Sequence, residues 1–212
     1  MSGTLRVRRW GVAILMVCAA MASAAFLMPL ARAQGNAEQP SYVTKAQRAI
    51  LIDAQSGAIL FQQRADDLSP PASMSKLMTL AVVFKALKDG KIKGTDEFVM
   101  SVNAWRKGGA PSGTTAMMVP VNTKATVDEL IKGIAIQSGN DAAIAVAESM
   151  AGNEANFAKL MTQEARRIGM VKSSFANATG MPNSNHLMTA RELAMLARHL
   201  IAEYPEHYGV FG

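Results

Sequence analysis

From about Ala72 to Lys88 the sequence predicts a helix on which Met74, Leu77, Met78, Leu80, Val82, Val83, Phe84 and Leu87 cover most of the circumference. A helix apolar nearly all round has no face for solvent, so other elements of the same chain must enclose it. Pro70-Pro71 stiffens the approach to this helix and Gly90 offers a stop.

The enclosing elements can be read from local patterns. Ala49 to Ala54 and Ala58 to Gln62 are apolar runs around Gln55-Ser56-Gly57, which predicts a β-hairpin. Short strands are expected at Glu97 to Met100 and Ala116 to Val119, around a loop containing Gly108, Gly109, Pro111 and Gly113. Thr126-Val127-Asp128-Glu129 is a capping box opening a helix to about Ile136, followed by Gln137-Ser138-Gly139-Asn140 and a helix from Asp141 to Met150 that Gly152 closes. Further helices are expected from Glu154 to Ile168 and, behind a capping box at Thr189 and Glu192, from Ala190 to Glu203. The sum is one α+β unit in which helices outnumber strands.

Charge must be located before it is interpreted. The 212 residues carry 22 Lys+Arg against 16 Asp+Glu, a formal charge of +6. Residues 1–33 hold Arg6, Arg8, Arg9 and Arg32, no acid, and a 21-residue uncharged stretch from Trp10 to Leu30. Pro29 and the small-x-small site Ala31-Arg32-Ala33 then complete the pattern of a signal peptide, with cleavage expected after Ala33; the competing reading is an uncleaved anchor. Without this leader, 18 basic groups face 16 acidic ones, and the hint of a nucleic-acid partner disappears. The one cysteine, Cys18, lies in the leader behind Val17, which does not suit a lipoprotein signal. The exported chain then has neither disulfide nor thiol nucleophile, as suits the bacterial cell envelope. Residues 34–48 are expected to be a flexible lead-in.

Two short patterns could carry chemistry. Ser73-Met74-Ser75-Lys76 matches S-x-x-K, which places Ser73 and Lys76 side by side on one turn. Such a pattern arises readily by chance, but this one opens the enclosed helix, where free backbone N–H groups favour developing negative charge. Lys76, desolvated there, could act as the base that activates Ser73. An N-cap serine beside a lysine that snorkels to the surface accounts for the same residues. Ser138-Gly139-Asn140 offers a hydroxyl for proton relay and an amide to hold a carbonyl; its plain alternative is a helix-to-helix turn. Ser101-Val102-Asn103 repeats the pattern as a decoy. The histidines, His186, His199 and His207, form no H-E-x-x-H pattern and are expected at the surface or in caps.

Taken together, Pro71 to Thr79 and Gln137 to Ala142 resemble the low-molecular-mass penicillin-binding proteins, the serine-type D-alanyl-D-alanine carboxypeptidases of the peptidase S11 type. The likeness continues through Asp53 to Gly57, Trp105 to Ser112, Phe175 to Pro182 and Thr189 to Glu192, with Ser75 standing where Thr is more usual. It implies the serine β-lactamase/penicillin-binding-protein-like transpeptidase fold, a helical subdomain plus an antiparallel sheet. It further implies that Ser73 attacks the terminal D-alanyl-D-alanine bond of a peptidoglycan stem peptide. Lys76 would be the base, Ser138 a proton shuttle and Asn140 a substrate-binding hydrogen-bond donor; β-lactams would acylate the same serine. No cofactor or metal is implied. The implied setting is the periplasm, at the outer face of the inner membrane, in peptidoglycan biosynthesis, cell-wall organisation and cell shape, with membrane association expected only through a C-terminal region missing from these residues.

The family's third motif, K-T-G or K-S-G, does not occur in these residues. Lys172-Ser173-Ser174 is the nearest imitation and reads as a loop. The resemblance therefore implies a C-terminally truncated catalytic domain over residues 49–212, with the helix at 72–88 partly uncovered, poor folding and little activity. A non-catalytic penicillin-binding remnant is the alternative. A β-lactamase is a weaker one, since E-x-x-L-N is absent, and a Ser-His-Asp hydrolase would need G-x-S-x-G.

Overall fold

The computed structural model describes residues 43–212, so the expected signal peptide and residues 34–42 of the lead-in lie outside the described residues. Residues 43–48 have no regular secondary structure, and order of that kind begins with β1 (Ala49–Ile52). β1 pairs antiparallel with β2 (Ile59–Gln63), as the two apolar runs require. Asp53 closes the turn by accepting from the backbone N–H and the hydroxyl of Ser56, and Gly57 takes φ +76°.

The central helix is built in two pieces. Ala72–Ser75 is a 3-10 turn, and α1 (Lys76–Lys88) continues it as regular α-helix. Met78, Leu80, Ala81, Val82, Val83, Phe84 and Ala86 are all buried, as the apolar circumference demands. α1 is enclosed by α3 (Val127–Gln137), α5 (Glu154–Ile168) and α6 (Ala190–Glu203), and is not left uncovered. Apolar surface is exposed instead on the hairpin, at Leu51, Ile59 and Leu60.

The helices end where local chemistry says they should. Thr126 and Glu129 exchange both bonds of a capping box at the start of α3. α4 (Asn140–Ala151) and α5 close on Gly152 and Gly169, both in the left-handed region. The box expected at Thr189 and Glu192 is only half made. Thr189 caps α6, but the Glu192 carboxylate accepts from the N–H groups of Lys172 and Ser173 and from the Ser173 hydroxyl. That bond set holds Lys172 to Ser174 in a loop, as read from sequence.

Two expectations fail between residues 97 and 126. β3 (Glu97–Val99) pairs with β4 (Lys124–Thr126), not with residues 116–119. The amides that a ladder at 116–119 would use are taken by a side chain: Asp141 accepts from Met117 N–H at 2.7 Å and Met118 N–H at 3.0 Å. Met118 then adopts φ +65°, which a strand does not tolerate. The loop expected after residue 100 begins as a helix, α2 (Val102–Gly108), capped by Ser101. The decoy Ser101-Val102-Asn103 is structural, since Ser101 Oγ and Asn103 Nδ2 both donate to Glu148.

Asp141 is fully buried at the start of α4 and also accepts from Ala142 N–H, so it ties the 115–118 segment to the Ser138 turn. Asp141→Ala leaves these amides without an acceptor and is expected to lower the unfolding free energy by about 2–4 kcal/mol, read by urea denaturation. Asp141→Asn, which keeps one acceptor oxygen, is expected to lose less.

Candidate active site

Ser73 lies on the 3-10 turn, not on α-helix. Three residues per turn eclipse positions i and i+3, so Ser73 and Lys76 stack more directly than an α-helix would allow. The approach is strained. Ala72 has φ +49°, a left-handed value that a residue bearing a Cβ adopts at a cost of about 1–2 kcal/mol. The Ser73 side chain is exposed, while Lys76 is only 3 % exposed.

The Lys76 Nζ donates to two oxygens. One is Ser73 Oγ at 3.2 Å; the other is the Thr179 carbonyl at 2.7 Å. Burial strips water from the ammonium and pulls its pKa down to about 8. Roughly a tenth of the lysines are then neutral at pH 7, against fewer than one in a thousand for a solvated one. Ser73 thus has a usable base within hydrogen-bond reach, and the snorkelling alternative is excluded because Nζ points inward.

The segment after Phe175 forms the other wall. Thr79, one turn along α1 from Lys76, donates its hydroxyl to the Ala178 carbonyl at 2.8 Å. Gly180 has φ +83°, and a Cβ there would stand 2.0 Å from the Ala72 carbonyl oxygen and 2.7 Å from Ser75 Oγ. Only glycine lets this turn sit against the turn that carries Ser73. Sequence reasoning missed Thr179 and Gly180 as site-forming residues. Their segment was noticed only for its resemblance, and a backbone carbonyl leaves no residue-type signal.

Ser138 and Asn140 sit between α3 and α4. Ser138 ends α3 with φ +55°, and Asn140 begins α4. The loop is held from one side: Thr115 Oγ1 donates to the Ser138 carbonyl, Asn140 N–H to the Thr115 carbonyl, and Asn140 Nδ2 to Thr114 Oγ1. Among the described residues, Ser138 Oγ and Asn140 Oδ1 are buried without a hydrogen-bond partner. Buried polar atoms are rarely left so, and these two lie within three residues of each other. Exchanging the amide oxygen and nitrogen of Asn140 would keep the Thr114 hydroxyl satisfied and present Nδ2 as the free donor. Neither Ser138 nor Asn140 hydrogen-bonds Ser73 or Lys76 among the described residues; the structure brings together the first pair of predicted residues and leaves the second pair on its own loop. A cavity of about 530 Å³ between α1 and α5 is lined by none of the four.

One histidine departs from expectation. His186 is buried, accepts from Ala176 N–H through Nδ1 and packs edge-on against Phe175 at 5.5 Å between centroids. Burial lowers its pKa and holds it neutral, so it serves the core of the 175–186 loop and not the surface.

The fold is that of the penicillin-binding proteins. Penicillin-binding protein 5 from Haemophilus influenzae is similar with a TM-score of 0.76 at 35% identity, over 80% of this chain and 48% of that one. The D-alanyl-D-alanine carboxypeptidase DacD from Francisella tularensis gives 0.75 at 35%, over 80% and 40%. The family model of D-alanyl-D-alanine carboxypeptidases, peptidase S11, matches residues 33–211, and the chain belongs to that family. Among curated relatives, D-alanyl-D-alanine carboxypeptidase DacC of Escherichia coli (strain K12) is 38% identical over 84% of this chain and 44% of its own length. DacA of Haemophilus influenzae is 36% identical over 81% and 43%. The chain spans less than half the length of these relatives.

Two substitutions test the packing without any assay of chemistry. Lys76→Met removes a desolvated charge and is expected to stabilise the fold by up to about 3 kcal/mol below pH 8. The folded pKa is depressed from 10.5 to about 8, so the parent regains stability as pH rises through that window, and the advantage of the variant shrinks across it. Gly180→Ala is expected to cost about 1–3 kcal/mol, because the new Cβ meets backbone and not a flexible side-chain tip. Urea denaturation at several pH values reads both.

Proposed function

We propose that the chain carries the acylating half of a serine-type D-alanyl-D-alanine carboxypeptidase, acting on peptidoglycan stem peptides and acylated by penicillins. The observation that carries this reading is Lys76 Nζ, inward-facing and depressed to a pKa of about 8, at 3.2 Å from Ser73 Oγ. Neutral Lys76 takes the Ser73 proton as Oγ attacks the carbonyl of the penultimate D-alanine. The backbone N–H of Ser73 supplies one donor to the resulting oxyanion. Ser138 relays a proton to the nitrogen of the leaving D-alanine, and Asn140 donates to the acyl-amide carbonyl. Water then hydrolyses the ester on Ser73.

Residues 1–33 act in this reading as a signal peptide that delivers residues 49–212 of the catalytic domain to the periplasm at the outer face of the inner membrane. There the enzyme would serve cell-wall organisation and cell shape. A non-catalytic penicillin-binding remnant is the second reading, favoured by the absence of K-T-G or K-S-G among these 212 residues.

Fluorescent-penicillin labelling followed by intact mass separates the two. A single slow adduct that Ser73→Ala abolishes is expected. A folded chain that takes up no penicillin would overturn the enzymatic reading and leave the remnant.

A further inference from the structure

We propose that Asn177 is a positioning residue for Lys76, aiming the base at Ser73 by holding the two peptide planes that lie between them. The Asn177 Oδ1 accepts from Thr179 N–H at 3.1 Å, Thr179 Oγ1 at 3.1 Å and Gly180 N–H at 2.8 Å. Its Nδ2 donates to the Met181 carbonyl at 3.0 Å. One side chain therefore fixes the whole 177–181 turn.

The geometry of the peptide group turns this into control of the base. A trans peptide is planar, with its N–H and C=O pointing in opposite directions. The Ala178–Thr179 peptide has its N–H on Asn177 and its C=O on Thr79 Oγ1. The Thr179–Gly180 peptide has its N–H on Asn177 and its C=O on Lys76 Nζ. Each plane is gripped at one edge by Asn177 and at the other by α1, from side chains one turn apart. The Thr179 carbonyl cannot rotate away from Lys76 without breaking the Gly180 N–H bond to Asn177. Since Thr179 O and Ser73 Oγ are the two acceptors of Nζ, fixing one sets the direction of the other.

An ordinary Asx turn, stabilising the loop alone, would use the same Thr179 N–H bond. What distinguishes the proposal is coupling between Asn177 and the ionisation of Lys76. The other ionisable groups around the turn are Glu154 of α5, which accepts from Ala178 N–H, His186 beside Ala176, and Lys107 of α2, which lines a groove with Asn177 and Thr179. The inference rests on Lys76 being the base of the proposed reaction, but its test does not use that reaction, so failure to bind penicillin and failure of the coupling are distinguishable.

The test is an NMR titration of the lysine Cε–Hε resonances in the full chain, with Lys76 assigned by its loss in Lys76→Arg, which separates it from Lys107. In folded Asn177→Ala the Lys76 ionisation constant is expected to change by about threefold or more, while Asn177→Ser, which keeps an oxygen for the Thr179 amide, stays nearer the parent. A folded Asn177→Ala with the parental Lys76 midpoint overturns the proposal. If Asn177→Ala does not fold, the parent decides. Coupling is reciprocal, so the Asn177 side-chain amide resonances are expected to titrate with the Lys76 midpoint. Resonances that stay flat through that midpoint overturn the proposal.

Discussion

An ammonium group removed from water must find acceptors or shed its proton, and the site is organised around a lysine held between those outcomes. Lys76 is buried on the first turn of a helix enclosed by three others, and among the described residues it is given two oxygens and no carboxylate. A carboxylate would have fixed the proton on the lysine. Two neutral acceptors satisfy the charge in part and leave its pKa near 8, where the proton is easily lost. The strained Ala72, the 3-10 turn and Gly180 all serve the same end, since each is needed to bring Ser73 and the 178–180 backbone to one nitrogen.

The same helix organises the second loop at one remove. α3 packs against α1 and ends at Ser138 in a left-handed conformation, which turns the chain so that α4 begins at Asn140. The fully buried Asp141 anchors that turn to residues 117–118. Two polar atoms there, Ser138 Oγ and Asn140 Oδ1, have no partner among the described residues.

How much of this could be read from the sequence depends on how local the determining interaction is. The ends of α5 and α6 follow from caps and glycines within a few residues, and both helices span the stretch that their patterns indicated. The Ser73–Lys76 pair is likewise local, three residues on one turn. Residues 116–119 misled because a carboxylate 23 or 24 positions later takes their amides, which no alternation of side chains reveals. Glu192 was read as half of a capping box although its better partners lie 19 and 20 residues away. Thr179 is 103 residues from Lys76 and contributes only a carbonyl, so nothing in its side chain announces the contact. His186 was misplaced for a related reason: a single histidine without a pattern carries no information about burial.

The central claim is that burial, with two neutral acceptors, makes Lys76 a base near physiological pH. The most direct test is the pH dependence of the rate constant for acylation of Ser73 by a penicillin. The account predicts a rate that rises with pH through a midpoint near 8, as Lys76 loses its proton. A rate that does not change through that midpoint, or that rises only toward the 10.5 of a solvated lysine, would contradict it.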